Sequence, residues 1–413
     1  MTSTSPRRAL VLSGGGARGA YEAGVLRYVL QELTSDLEAP PRFDVICGTS
    51  VGAINAAWLA ATIDRPHRCV QMLEEHWRSL VFSEIVKVSY RQIWRILYRT
   101  LHRSPLPLPA PEKSHEREAG LLDTSFFNEL ISREIPFGNI AENIANGVIE
   151  ALSVSATDIV TGQTTVFVQS ADHLPPWTRD ARRIARRGPI DAKRVLASAA
   201  IPFLFPAVRI GSHWFCDGGL RQNTPISPAL RLGADKVLII ALKSRSIEQK
   251  AQHRLTTATV GDPHPNLAFI AGKLLDALLL DPLDYDLDVL ERVNAILDYG
   301  EEAFGDKSFV DELNRVIKAH RGQGYRRVEP LLIRPSTDLG HIAADVAADQ
   351  PADFWGSFPL RQFVGRALEE EGAHESDLMS YLLFDEQYTG PLFDMGFSDA
   401  AEHHHQLVEF FSP

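Results

Sequence analysis

Cysteine is scarce in this chain: Cys47, Cys69 and Cys216 are spread widely over 413 residues. That number and spacing exclude a disulfide framework and a Cys-x-x-Cys metal site, and they suit a reducing, cytoplasmic compartment. Long apolar runs are missing too. No stretch approaches the ~20 apolar residues of a membrane-spanning helix. The short run Ala9 to Leu12 behind Arg7 and Arg8 is too brief for a signal-peptide core. Positive charge is also in deficit, with 42 Lys and Arg against 53 Asp and Glu and a net charge of −11, which excludes nucleic acid as the main partner. What remains is ordinary for a globular protein: 45% hydrophobic and 23% charged residues, enough to bury a large core in one large domain or two.

The most informative stretch is Phe43 to Ala61. Phe43 to Cys47 reads as a buried strand. Gly48-Thr49-Ser50-Val51-Gly52 follows, and Ala53 to Ala61 reads as a helix that is apolar almost all round. Gly-x-Ser-x-Gly between a strand and a buried helix is the setting of a nucleophilic serine on a sharp turn. Gly48 and Gly52 keep side chains out of the strand–helix crossing. Ser50 then presents its hydroxyl at the end of the strand, beside the Val51 amide.

Upstream, Ala9 to Leu12 reads as a first buried strand and Ala20 to Leu33 as a helix with Ala23, Leu26, Leu30 and Leu33 on one face. Between them lies Gly14-Gly15-Gly16-Ala17-Arg18-Gly19. A glycine-rich loop opening a helix is an anion cradle. It serves either a dinucleotide pyrophosphate or an oxyanion formed at Ser50. A dinucleotide fold wants an acid at the end of the second strand. Here that strand runs into the serine turn and Asp44 sits near its start, which favours the oxyanion reading. Two parallel strands would bring Gly15 and Gly16 to the same sheet edge as Ser50, with Arg18 adding positive potential.

Downstream, Pro66 to Leu80 reads as a helix, with Val70, Leu73 and Trp77 on one face. Ser83 to Arg103 carries Lys87, Arg91, Arg95, Arg99 and Arg103 at every fourth position, with Trp94 and Tyr98 among apolar neighbours. This reads first as a surface helix packed on the core, and second as a basic amphipathic helix for an anionic membrane surface. Ser104 to Glu118 reads as a linker or lid, and Leu121 to Glu134 as a helix. Ile149 to Ala156 and Thr165 to Gln169 read as strands. Arg179 to Arg194, with seven basic residues against Asp180 and Asp191, reads as a solvated helix face. Phe203-Leu204-Phe205 is too apolar for solvent and reads as core, or as the lining of an acyl pocket.

A hairpin, Ala207 to Ile210 and His213 to Cys216, delivers Asp217-Gly218-Gly219. An aspartate at a strand end before two glycines is an ordinary turn in isolation. With a serine turn upstream, Asp217 becomes a candidate general base. Asn223 would brace the aspartate loop or cap a helix starting at Pro225. Lys236 to Leu242 reads as another buried strand. Beyond Lys243 the chain carries no catalytic motif. Helical patterns dominate there, Leu331 to Ile333 is a candidate strand, and Ser380 to Phe384 and Leu407 to Phe411 are apolar enough to dock. The run His403 to His405 reads as surface histidine, not metal ligand.

Taken in order, Gly14 to Gly19, Gly48 to Gly52 and Asp217 to Gly219 resemble the patatin-like phospholipase family, as does Ser198-Ala199-Ala200-Ile201-Pro202. The resemblance covers about Arg8 to Leu242. It implies a three-layer α/β/α sandwich, a Ser–Asp dyad and calcium-independent hydrolysis of lipid acyl esters. By motif, Ser50 is the nucleophile and Asp217 its base. Gly14, Gly15, Gly16, Ala17, Arg18 and Gly19, with Val51, belong to the oxyanion hole. Gly48, Gly52, Gly218, Gly219 and Asn223 are supporting residues, and neither metal nor cofactor is called for. The expected partners are a lipid substrate and, secondarily, an anionic membrane surface. The expected organisation is a catalytic domain at 8–243 and a mostly helical C-terminal extension at 244–413. Two other readings stand beside it. One is a Ser-Asp-His esterase using His253, His264, His341 or His374; the other is a non-catalytic dinucleotide-binding module built on Gly14 to Gly19.

Overall fold

The computed structural model describes residues 5–85, 87–88, 122–171, 177, 182–202, 204–244, 283–305, 308–321, 324–351, 354 and 375–412. The first strand, β1 (Arg8–Leu12), is buried on both faces. Its side chains alternate, as the two-residue period of a strand requires. Leu10 and Leu12 join the larger apolar core, while Ala9 and Val11 join a smaller one on the other face. The glycine loop then opens α1 (Gly19–Arg27). The expected helix to Leu33 widens into a π-turn at Tyr28–Glu32 and ends as a 3-10 turn at Leu33–Ser35. Strand β2 (Val45–Thr49) leads through Ser50 into α2 (Val51–Thr62), whose residues are nearly all buried. Helix α3 (Pro66–Arg78) buries Cys69, Val70, Leu73 and Trp77.

The basic stretch from Ser83 departs from expectation where it is described. A short helix, α4 (Phe82–Ile85), gives way to β3 (Lys87–Val88), which pairs antiparallel with β4 (Leu122–Asp123). One helix therefore does not run from Ser83, because the backbone at Lys87 is committed to a strand ladder. Residues 89–121, with Arg91, Arg95, Arg99, Arg103 and the linker, lie outside the described residues. The helix expected from Leu121 starts later, as α5 (Ser125–Glu134), because Leu122 and Asp123 belong to β4. Helix α6 (Phe137–Ala145) follows.

Next come β5 (Ala151–Asp158), β6 (Thr164–Ser170) and β7 (Arg183–Arg187). The last corrects the helix expected across Arg179 to Arg194. The segment pairs parallel with β6 at the sheet edge, where arginines can reach solvent without a helix. Helix α7 is confined to Ala192–Ser198. The hairpin β8 (Val208–Ile210) and β9 (His213–Asp217) follows, then α8 (Ile226–Arg231) and β10 (Lys236–Ile240). Further on are α9 (Leu283–Phe304), α10 (Ser308–Arg321), β11 (Glu329–Ile333) and α11 (Leu339–Asp349). The chain closes with α12 (Glu375–Leu382), α13 (Glu386–Glu402) and α14 (His404–Phe411).

Among the described residues the main sheet runs β11-β10-β1-β2-β5-β6-β7, with β9 beside the end of β5 and β8 beside β9. Strands β11 to β5 are mutually parallel, and β6 and β9 run antiparallel to β5. Helices cover both faces, giving a three-layer α/β/α sandwich with a mostly helical C-terminal part. That part is tied closely to the rest. Strand β11 extends the same sheet. Helix α13 crosses α1 through glycines: a Cβ on Gly24 would lie 2.0 Å from Phe393 O, and one on Gly396 2.1 Å from Tyr21 O. Tyr21 donates to Asp399 Oδ2 at 2.8 Å, and the Arg8 guanidinium donates to Phe411 O at 2.9 Å and Ser412 O at 2.8 Å.

Candidate active site

The parallel pairing of β1 and β2 brings the glycine loop and the serine turn to one edge of the sheet. Ser50 has φ 55° and ψ −125°, and it is the one non-glycine residue with positive φ among those described. Such a conformation costs about 1–3 kcal/mol and persists only where its surroundings enforce it. The enforcement is visible. A Cβ on Gly48 would lie 2.2 Å from Gly52 O, and one on Gly52 2.4 Å from Leu12 O, so strand and helix meet backbone to backbone. The Ser50 amide donates to Ser198 Oγ at 2.8 Å, and Ser198 Oγ donates to Ser155 O at 2.6 Å. Ser198, the last residue of α7, thereby pins the turn to β5.

Strand β9 brings the acid. Its backbone at Asp217 pairs with Ala156 of β5, and the Asp217 amide donates to Ala200 O at 2.8 Å. Ser50 Oγ donates to Asp217 Oδ2 at 2.6 Å, while the Gly219 amide donates to Oδ1 at 2.7 Å. Asp217 is fully buried. Burial pushes its carboxyl from the ordinary 3.8 up to about 7, against the opposing pull of the Ser50 and Gly219 hydrogen bonds. Gly218 is required here, because a Cβ would lie 2.2 Å from Ser155 O. A hydroxyl bonded to a buried carboxyl that titrates near neutrality is equipped for proton transfer.

The loop residues separate on inspection. The Gly14 amide donates to Asn223 O at 3.1 Å, and Asn223 Nδ2 returns a bond to Gly14 O at 3.0 Å. Asn223 therefore braces the glycine loop, not the aspartate loop, and it does not cap α8, which follows Pro225 without a side-chain cap. The Gly19 amide turns back to Ala17 O and Gly16 O. Arg18 turns away toward the C-terminal part, its Nε donating to Ser380 Oγ at 2.7 Å and its guanidinium lying 4.2 Å from the Tyr381 ring centroid. The amides of Gly15, Gly16 and Val51 make no hydrogen bond with the described residues. Gly16 and Val51 line the same cavity as Ser50. Gly16 has φ +57°, and a Cβ there would lie 2.2 Å from Tyr381 O, so α12 seats directly on the loop.

That cavity, of about 90 Å³, follows the face of α2 away from Ser50 through Ile54 and Trp58. Phe205 and Phe384 complete its apolar wall, so Phe205 serves both as core and as lining, while Phe203 is outside the described residues. His76 and Glu134 close one side, with Nε2 3.2 Å from the carboxylate. Ser198 lies in a segment already picked out by its family resemblance, though without a role for the residue itself, whereas nothing local to Ser380, Tyr381 and Phe384 marks a contact so distant in sequence. Behind the loop lies fully buried Glu22, whose Oε2 accepts from Asn55 Nδ2 at 2.8 Å. Burial holds this carboxyl well above its usual range, with the Asn55 bond acting in opposition.

The other readings find little here. His253, His264 and His374 lie outside the described residues, and His341 sits on α11 beside Asp338, away from the lining of this cavity. Asp44 accepts from the Arg8 amide at 2.8 Å, at the end of β2 opposite the glycine loop. Among the described residues no group of His, Cys, Asp or Glu is gathered to hold a metal ion, and no helix is long and apolar enough to cross a membrane.

A serine held at positive φ between a parallel strand and a buried helix, bonded directly to a carboxyl, defines a class: α/β proteins with a serine–aspartate site. Comparison with known proteins narrows that class. The family model described as Patatin-like phospholipase matches residues 10–230, more than half of the chain, and the chain belongs to that family. A cGAMP-activated phospholipase of Pseudomonas aeruginosa is 31% identical over 227 residues, covering 54% of this chain and 56% of that protein. One of Escherichia coli is 28% identical over 267 residues, covering 62% and 63%. This chain thus spans somewhat over half the length of the curated relatives it matches. Human GIVD cytosolic phospholipase A2 aligns over 98% of this chain and 60% of its own, at 10% identity and a TM-score of 0.44.

Proposed function

We propose that this chain is a lipid acyl hydrolase that works through an acyl-enzyme on Ser50, with Asp217 as its only proton acceptor. The observation that carries the reading is the 2.6 Å bond between Ser50 Oγ and Asp217 Oδ2 at the mouth of an apolar cavity. Ser50 Oγ attacks the ester carbonyl carbon while its proton passes to Asp217. The carbonyl electron pair moves onto oxygen, and the amides of Gly16 and Val51, with Gly15 beside them, receive the oxyanion. Losing one such donor typically costs about 3 kcal/mol of barrier. Collapse breaks the bond to the alcohol oxygen, which takes the proton back from Asp217 and departs. The acyl group stays on Ser50 with its chain in the cavity. Water then attacks, gives its proton to Asp217, and the fatty acid leaves as Ser50 Oγ is reprotonated.

In this proposal residues 8–243 supply the reacting groups, while the part from 244 to 413 supplies wall and loop support through Phe384 and Tyr381. The lipid is drawn from a membrane or micelle surface. Attraction to anionic membranes rests on the charge of Ser83 to Arg103, and vesicle binding that is lost at high salt would support it.

The test is labelling with a fluorophosphonate ester, followed by peptide mass mapping. The expected outcome is one adduct on Ser50, absent from Ser50→Ala, which stays folded and hydrolyses no p-nitrophenyl ester. Undiminished hydrolysis by folded Ser50→Ala would end the proposal. Running the assays with and without cGAMP shows whether the property in the relatives' names extends to this chain.

A further inference from the structure

The proposed oxyanion hole draws on two elements. Gly16 lies in the loop that leads into α1, and Val51 is the first residue of α2. These elements touch at their ends, since a Cβ on Gly19 would lie 2.4 Å from Val51 Cγ2. One side chain then clasps them together. Asn55 stands one turn beyond Val51 on α2 and is fully buried. Its Nδ2 donates to Gly19 O at 3.1 Å and to Glu22 Oε2 at 2.8 Å, so it grips the first turn of α1. Among the described residues no other side-chain hydrogen bond joins α1 to α2.

The amide has one orientation open to it. The Trp77 indole N–H donates to Asn55 Oδ1 at 3.2 Å and cannot accept, while the Gly19 carbonyl can only accept. Oδ1 therefore faces α3 and Nδ2 faces α1. The Asn55 amide nitrogen and oxygen are both engaged, and a satisfied buried network of this kind fixes a single geometry. An aspartate carboxylate here would have no proton for Gly19, and alanine would reach none of the three partners. Asn55 and Trp77 also line the cavity, and the Trp77 ring stacks on Phe384 with centroids 6.4 Å apart. The wall proposed to receive the acyl chain is thus bonded to the clasp.

We infer that Asn55 is a positioning residue for the oxyanion hole: from α2 it holds the end of the glycine loop and sets the spacing of the Gly16 and Val51 amides, with Glu22 and Trp77 fixing its amide. The inference rests on the acyl-enzyme reading, which gives those amides their task. Asn55 acts through the backbone and takes no proton in the reaction. Releasing the clasp leaves the Ser50–Asp217 bond in place but frees the loop to drift from α2. A misplacement of about 1 Å can cost about 10²-fold in rate, as much as losing one oxyanion donor. The loss falls on kcat, because the oxyanion exists only once the carbonyl has been attacked.

The experiment measures kcat and KM separately for p-nitrophenyl butyrate, together with urea unfolding. The proteins are the parent, N55A, E22A, E22Q and N143A. Asn143 is the matched control: it is also a buried asparagine, and its Nδ2 donates to Ala60 O near the other end of α2 at 2.9 Å. N55A should lose about 100-fold in kcat while KM stays within about threefold of the parent. N143A should lose stability and keep kcat. E22A removes one acceptor from Nδ2 and should lose about tenfold in kcat. E22Q keeps an oxygen facing Nδ2 and should restore that loss. Equal kcat losses in N55A and N143A, or a loss confined to KM, would overturn the inference. Should N55A not fold, the Glu22 pair decides: a higher kcat in E22Q than in E22A supports the clasp, and equal values overturn it. A parent without activity on p-nitrophenyl butyrate fails at the Ser50 reading instead.

Discussion

Replacing Asp217 by Asn should raise stability and destroy activity at the same pH. The carboxyl is fully buried, and burial lifts it from 3.8 to about 7. The folded protein thus holds this proton more tightly than the unfolded chain. The resulting stabilisation is complete below about pH 4 and is lost as pH rises through 7. Above pH 8 the buried carboxylate costs roughly 4 kcal/mol, at about 1.4 kcal/mol for each pH unit of the gap. Asparagine matches aspartate in shape and carries no charge at any pH. Its Oδ1 can still accept from Gly219, and its Nδ2 can donate to Ser50 Oγ. Urea unfolding should therefore find D217N about 3–4 kcal/mol more stable than the parent at pH 9, with the difference vanishing near pH 4. Activity moves the other way. In the proposed mechanism the base must be ionised, so kcat/KM of the parent should rise with unit slope through pH 7 and then level off. D217N should lose at least 10²–10⁴-fold, the usual worth of a positioned base. A D217N protein no more stable than the parent at pH 9, or a parent profile flat between pH 5 and 9, would refute the reasoning.

The remaining predictions concern strain, the cavity and the second buried acid. Ser50→Gly should be about 1–2 kcal/mol more stable than Ser50→Ala in denaturant titration, because glycine tolerates φ 55° and alanine does not. Phe384→Ala should cost about 3–5 kcal/mol of stability, and by opening the cavity it should shift preference from p-nitrophenyl butyrate toward p-nitrophenyl laurate. Glu22→Gln should gain stability relative to the parent as pH rises above about 4.5, since burial holds the Glu22 carboxyl above that ordinary value and glutamine cannot ionise. A stability difference that does not change with pH would mean that folding leaves the proton affinity of the Glu22 carboxyl unaltered, and would refute the effect of its burial.

What could be read from residue order alone was the part governed by short-range sterics. Gly48, Ser50 and Gly52 announce a turn because a strand and a helix cannot meet so closely with side chains between them. Asp217-Gly218-Gly219 carries the same kind of local demand. Arg183 to Arg187 misled because five residues with three arginines look solvated in any conformation, and only the neighbouring edge of β6 makes them a strand. Arg18 was legible only as part of the glycine loop: Ser380 and Tyr381, more than 360 residues away, take its guanidinium, and no local pattern announces those contacts. The glycines at 24 and 396 mark a close helix crossing only when each is known to face the other.

The seating of α12 on Gly16 bears on how this protein can be handled and altered. A fragment cut to the span of the family match would keep Ser50 and Asp217 yet forfeit Phe384, the support behind Gly16 and strands β10 and β11 of the sheet. Such a fragment should expose apolar surface and aggregate instead of giving a smaller working enzyme. Fusions at the C-terminus also need a spacer, because Arg8 holds the backbone of Phe411 and Ser412 against the first strand.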